Sequence, residues 1–109
     1  MKNFIFLALS TLFFTLLSSL SFAQMKLGVM SYSYRHLPYE EMLQECQRLN
    51  IHSIELNYEH ADYKKLSFED VPELVKTAKK YGITIGVYHA GANSEEDWEK
   101  LFGFANALG

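Results

Sequence analysis

Two ionisable side chains in predicted strands are the strongest candidates for chemistry. Glu55 lies between Ile54 and Leu56 in an apolar strand, so its side chain points to the opposite face from theirs. A carboxylate at such a position is costly unless it is paired, hydrogen-bonded or bound to a metal. His89 ends the third predicted strand, where a histidine can bind a metal or transfer a proton. The structural alternatives are that Glu55 holds loop N–H groups or pairs with Arg35, and that His89 is hydrogen-bonded to a neighbour such as Glu55.

Aromatic and basic side chains follow the first two strands. Tyr32, Tyr34 and Tyr58 offer flat apolar faces with a hydroxyl group, which suits a sugar or a polyol but equally suits packing at the end of a sheet. Arg35 could bind a carboxylate or a phosphate through two hydrogen bonds, or could be a solvated loop charge. His60 lies further along a polar loop and is expected at the surface. Tyr34, Arg35, Glu55 and His89 are therefore the predicted substrate-binding residues.

Alternating strands and helices position these residues. We predict strands at 26–33, 51–57 and 83–89, and helices at 39–49, from about 67–70 to 81, and at 94–109. Asn50 and Gly82 stand where the first two helices end, and Ser94 with Asp97 caps the third. Right-handed crossovers then give a parallel sheet, whose functional groups collect at the carboxyl ends of the strands.

Apolar stripes indicate which face each helix buries. The first helix is expected to bury Cys46, the sole cysteine, as an inert thiol, and without a second cysteine no internal disulfide can form. The stripe predicted for the third helix consists of Trp98, Leu101, Phe102, Ala105 and Leu108.

Residues 1–23 read as an export signal. Lys2 precedes an apolar run at 4–20, and Ser21 and Ala23 supply the small residues of a cleavage site after Ala23. An uncleaved membrane anchor is the alternative, because the run lies at the lower limit of spanning length. We expect a cleaved signal peptide, no stable membrane anchor, and a secreted or periplasmic domain at 24–109.

Charge and missing motifs exclude several classes of function. The formal net charge is −3, with basic residues scattered along the chain, which argues against a nucleic-acid partner. The sequence contains no GxGxxG or Walker-type phosphate loop, no CxxC or HExxH zinc pattern and no GxSxG elbow.

Three segments carry a resemblance to a known family. Residues 28–35 (GVMSYSYR), 53–56 (SIEL) and 79–89 (KKYGITIGVYH) resemble the opening of the xylose isomerase-like TIM barrels, which include sugar isomerases and epimerases, dehydratases and zinc-dependent endonucleases. The resemblance implies an α/β fold of the (β/α)8 TIM-barrel type, of which this chain holds the first three βα units. It is informative about the superfamily rather than the substrate.

The resemblance also implies a chemistry. Such enzymes hold one divalent metal through Glu, Asp, His and Glu side chains on later strands, so this chain is expected to supply no metal ligand and no catalytic residue. Ser33, Tyr34 and Arg35 would form a substrate wall, and Glu55 and His89 would contact a sugar or polyol. In endonuclease-like relatives the histidine would bind metal.

The leading hypothesis is therefore the N-terminal part of an exported, metal-dependent sugar (phosphate) isomerase, epimerase or related lyase, inactive as this fragment. Two alternatives remain open. One is a non-catalytic carbohydrate-binding protein, and the other is a truncated remnant without function, whose exposed sheet edges would promote aggregation.

Overall fold

The computed structural model describes residue 1 and residues 26–109; apart from Met1, the predicted signal peptide lies outside the described residues. Strands and helices alternate in the order β1 (Gly28–Met30), α1 (Tyr39–Arg48), β2 (Ser53–Asn57), α2 (Val71–Lys80), β3 (Thr84–His89) and α3 (Glu95–Leu108). A 3-10 helical turn, Ser31–Tyr34, follows β1. None of the helices in the described part combines the length and apolarity needed to cross a membrane.

The three strands form one parallel sheet in the order β1-β2-β3. The expectation of a (β/α)8 barrel is wrong for this structure, because residues 26–109 form a small open α/β domain in which β1 and β3 are the two edges. Barrel closure requires the last strand to pair with the first, and closed barrels of this type need eight strands. The predicted alternation of strands and helices is confirmed, but the predicted TIM-barrel type is not.

The core lies on one face of the sheet. Ile54 and Leu56 of β2 are buried there together with Met42 and Leu43 of α1 and Phe104 of α3. Because each helix follows a strand and returns across the same face, one apolar surface of the sheet is covered while the other remains open.

The predicted ends of the first two helices are confirmed. Asn50 has φ 58°, and Gly82 has φ 71°, so each reverses the chain in the left-handed conformation immediately after a helix. At the start of α2, Asp70 accepts hydrogen bonds from the backbone N–H and the hydroxyl of Ser67, at 2.7 and 2.9 Å. These bonds hold the pKa of Asp70 below its ordinary value.

Helix α3 buries only part of the predicted stripe, together with Phe104, which was not predicted. Ser94 caps it as expected, since its hydroxyl accepts the Asp97 N–H at 3.1 Å. Leu101, Phe104 and Leu108 are buried, whereas Trp98 and Phe102 are 46% and 63% exposed. The helix carries two overlapping apolar stripes, and the one that contains Phe104 is buried because this ring packs on Tyr88 of β3 with centroids 5.2 Å apart. Trp98 and Phe102 stack on each other instead, at 5.5 Å.

The first strand is shorter than the predicted 26–33. It ends at Met30 because Ser31 turns inward, is completely buried, and accepts the backbone N–H of Asn57 at 2.8 Å. The chain then continues as the 3-10 turn, in which the Arg35 N–H donates to the Tyr32 carbonyl at 3.1 Å.

Candidate functional site at the carboxyl edge of the sheet

An irregularity in β3 determines which side chains share the open face of the sheet. Ile54 is paired with Ile85, but Glu55 is paired with Val87, so Gly86 is an extra residue in β3. Regular alternation from Ile85 would have placed Val87 and His89 on the buried face. The bulge reverses this alternation: Val87 is 56% exposed on the open face.

Glu55 and His89 meet on that open face. His89 Nδ1 lies 2.9 Å from Glu55 Oε1, with the side chains 55% and 30% exposed. His89 Nε2 forms no hydrogen bond to any residue that the structure describes, so it can reach a ligand. The carboxylate fixes the orientation of the ring through Nδ1, which is how second partners commonly orient functional histidines.

Apolar groups surround this pair on the sheet side. Met30 and Val87 flank Glu55 on the neighbouring strands, and a shallow depression of about 270 Å³ lies between them. Gly86 adds no side chain to the floor of this depression. A Cβ at this position would lie 3.4 Å from Ser53 Oγ. The partly exposed carboxylate of Glu55 therefore lies beside a shallow depression.

A second cavity lies at the carboxyl edge itself, directly after β2 and β3. It has a volume of about 340 Å³, and its lining residues are Tyr58, Asp62, Tyr63, Lys64, Ala90, Gly91 and Asn93. The hydroxyl of Tyr63 donates to the Gly91 carbonyl at 2.9 Å, which ties together the loops after β2 and β3. Lys64 pairs with Asp97 at 2.8 Å, and this contact lowers the pKa of Asp97.

Tyr88 supports the edge from the buried face. Its hydroxyl donates to the Ala61 carbonyl at 2.6 Å and accepts the Tyr63 N–H at 3.3 Å. Burial raises the pKa of Tyr88 to about 12, so this phenol stays protonated and keeps both bonds at neutral pH.

The remaining predicted site residues do not join Glu55 and His89. Arg35 donates to the Tyr32 carbonyl at 3.2 Å, and its guanidinium stacks 4.5 Å from the centre of the Tyr32 ring. It does not pair with Glu55. Tyr34 is half-buried and packs against the hydrophobic core. Of the four predicted residues, the structure brings together two, through the hydrogen bond between Glu55 and His89 that the structural alternative for His89 predicted.

Sequence reasoning missed a buried network beside the site. Ser31 Oγ, which accepts the Asn57 N–H, also lies 3.2 Å from His60 Nδ1. His60 Nε2 in turn lies 3.1 Å from the Leu37 carbonyl. His60 is thus half-buried and bonded at both ring nitrogens rather than a surface residue. The one signal in the sequence was a serine ending an apolar strand.

The described residues do not form a metal centre. No three His, Cys, Asp or Glu side chains within residues 26–109 are close enough together to hold an ion. Glu55 and His89 could supply two ligands, whereas structural or catalytic metals in proteins commonly take three or more from the chain. The donor set around the pair is therefore suited to hydrogen bonding.

Comparisons with known proteins support the fold only. No protein-family model matches the sequence, and no curated protein matches it. A solved structure of an uncharacterized protein from Parabacteroides distasonis ATCC 8503 is similar, with a TM-score of 0.70 and 24% sequence identity. The match covers 80% of this chain and 41% of that chain. The chain thus spans less than half the length of this structural relative.

Proposed function

We propose that the carboxyl edge of the sheet binds a small sugar or polyol and that Glu55 and His89 contact its hydroxyl groups. The observation that carries the proposal is the Glu55–His89 pair on the open face, where the bulge at Gly86 places His89 at the end of β3 beside Glu55 in the middle of β2. The predicted substrate-binding pair is therefore oriented and still accessible.

The chemistry of the pair fits a polyhydroxylated ligand. A carboxylate accepts hydrogen bonds from hydroxyl groups, and an imidazole with one nitrogen already bonded can donate or accept with the other. Bonds that involve a charged partner are about twice as strong as neutral ones. The exposed ring of Tyr58 at the adjacent cavity offers an apolar face for the C–H groups of a sugar.

We further propose that the chain contributes this binding edge to an exported sugar isomerase, epimerase or related lyase. The support is the resemblance of residues 28–35, 53–56 and 79–89 to the xylose isomerase-like family. In this role Glu55 and His89 position the substrate and transfer no proton. A divalent metal of such an enzyme would be held by residues other than these, because no three His, Cys, Asp or Glu side chains cluster within the described residues.

A non-catalytic carbohydrate-binding role is the second candidate. It is favoured by the same contact, because one carboxylate and one imidazole held together are sufficient to bind hydroxyl groups without further ligands. Because this chain is expected to be inactive alone under either candidate, turnover by it does not separate them. Metal ligands of the Glu, Asp, His and Glu type in any downstream sequence would favour the enzyme, and their loss would favour the binding role.

Titration calorimetry of the full chain with D-xylose and with myo-inositol tests the proposal. We expect dissociation constants on the order of millimolar, because the site is shallow and partly exposed. Each of the variants Glu55→Gln and His89→Gln is expected to weaken binding roughly tenfold through the loss of a charge-assisted bond. His52→Gln is the matched control, since His52 is exposed and lies just before β2, at the opposite edge. Equal affinity in His89→Gln and His52→Gln would remove the basis of the proposal.

A further inference from the structure

The network around His60 connects three segments near the proposed sugar site. Ser31 ends β1, Asn57 ends β2, and Leu37 precedes α1. His60 lies in the loop of residues 58–66, which also carries Tyr58 and Tyr63 of the edge cavity. The two ring nitrogens of His60 therefore bind this loop to the segment of residues 31–37, whereas its later residues Ala61 and Tyr63 are held by Tyr88 and Gly91.

The hydrogen bonds of this network have only one consistent direction when His60 is neutral. A carbonyl can only accept, so Nε2 must carry the hydrogen that is donated to Leu37. Nδ1 is then an acceptor, and the hydroxyl of Ser31 must donate to it. Ser31 Oγ still has a lone pair for the backbone N–H of Asn57. Every N–H and O–H hydrogen of the network then has an acceptor.

Protonation of His60 removes this consistency. Nδ1 then carries a hydrogen as well, so two donors approach Ser31 Oγ, and the hydroxyl hydrogen of Ser31 loses its acceptor. Ser31 is completely buried, and a buried hydroxyl without a partner is costly. When the charged ring leaves, water can reach Ser31 and accept its hydroxyl hydrogen, so the charged ring is better placed outside the network.

The surroundings of His60 favour the charged ring once it has left. Glu59 and Asp62 line the adjacent surface depression together with Tyr58 and Lys65, and Lys65 is paired with Asp62 at 3.3 Å. On the side of α1, the ring of Tyr39 lies 6.5 Å from the His60 ring. Burial keeps the pKa of Tyr39 well above its usual range, so it is neutral and adds no charge. The carboxylates of Glu59 and Asp62 can stabilise an imidazolium in solvent.

We propose that His60 is a pH-sensitive latch of the loop of residues 58–66. Neutral His60 binds the loop to Ser31 and Leu37, and protonation releases these two contacts, while Tyr88 and Gly91 still hold Ala61 and Tyr63 of the same loop. The effect of the latch on sugar binding rests on the proposed function, because Tyr58 and Tyr63 line the edge cavity. The latch itself does not depend on that function.

Amide hydrogen exchange of the full chain tests the latch directly. The protection of the Asn57 N–H, corrected for intrinsic exchange, is expected to fall roughly tenfold between about pH 8 and about pH 5. It is expected to stay constant over this interval in His60→Gln, which cannot be protonated. His36→Gln and His52→Gln are matched controls at exposed histidines and should behave as the unmodified chain does.

Two results would overturn the latch: constant protection of Asn57 in the unmodified chain, or an unchanged fall in His60→Gln. If His60→Gln does not fold, the ring nitrogen signals of His60 must titrate at the same midpoint as the protection of Asn57, and different midpoints contradict the proposal. Sugar affinity measured at about pH 8 reports on the proposed function alone. If no sugar binding is seen at that pH, the interpretation of the hydrogen exchange result does not change.

Discussion

Gly86 is an extra residue in β3. We therefore predict that substitutions at Val87 and Tyr88 affect the stability in the opposite order from that expected of a regular strand. Regular alternation would bury Val87 and expose Tyr88, but the structure exposes Val87 and places Tyr88 against Phe104. Three substitutions separate these arrangements: Val87→Thr, Ile85→Thr and Tyr88→Phe. The first and second place a hydroxyl on opposite faces of the sheet, and the third removes one.

The magnitudes follow from burial and hydrogen bonding. Val87→Thr is expected to change the free energy of unfolding by less than about 0.5 kcal/mol, as at most exposed sites. At Ile85, which is 9% exposed, the change to Thr removes a methylene worth about 0.8 kcal/mol and replaces a methyl group with a poorly paired hydroxyl, so Ile85→Thr should cost about 2–3 kcal/mol. Tyr88→Phe leaves the Ala61 carbonyl and the Tyr63 N–H without a partner, which should cost about 1–2 kcal/mol.

Urea denaturation followed by far-ultraviolet circular dichroism measures these differences. The transition midpoints should rank Val87→Thr close to the unmodified chain, Tyr88→Phe lower and Ile85→Thr lowest, with similar slopes. If Val87→Thr costs as much as Ile85→Thr while Tyr88→Phe costs nothing, β3 alternates regularly. The bulge, and with it the position of His89 beside Glu55, would then be refuted.

Three further predictions concern the buried Ser31 hydroxyl, the Cys46 thiol and the stability at acidic pH. Ser31→Ala should cost about 1–3 kcal/mol in urea denaturation, because the buried Asn57 N–H loses its acceptor; a cost below about 0.5 kcal/mol would contradict the network. Burial raises the pKa of Cys46, so alkylation at neutral pH should be slow in the folded chain and fast in denaturant, and equal rates would argue against its burial. The Ser67 N–H and hydroxyl lower the pKa of Asp70, so its stabilisation is complete above the unfolded pKa and is lost as the pH falls through the lower folded pKa. Asp70→Asn should therefore flatten the loss of stability below about pH 4, and an unchanged acid profile would count against this contact.

Local signals in the sequence were sufficient to predict the order of the strands and helices. Asn50 and Gly82 ended their helices as predicted, and Ser94 capped the third, because these effects depend on residues a few positions apart. The apolar alternation of β2 likewise placed Glu55 opposite Ile54 and Leu56.

Features that depend on distant contacts could not be predicted in the same way. The stripe buried on α3 was decided by the contact of Phe104 with Tyr88, so Trp98 was wrongly assigned to the core. Simple periodicity could not reveal the extra residue at Gly86, since an isolated glycine in a strand indicates a bulge only weakly. His60 was assigned to the surface because its partners lie more than twenty positions away.

The most direct test of the proposed binding edge is a titration of the ¹H–¹⁵N spectrum of the full chain with D-xylose at neutral pH. We expect saturable shifts at residues 55–58 and 89–93, on the adjacent ends of β2 and β3, and a strong reduction of these shifts in His89→Gln. Saturable shifts confined to the opposite edge, near residues 50–53 and 82–84, or no saturable shifts at all, would contradict the claim that Glu55 and His89 form a sugar-binding site.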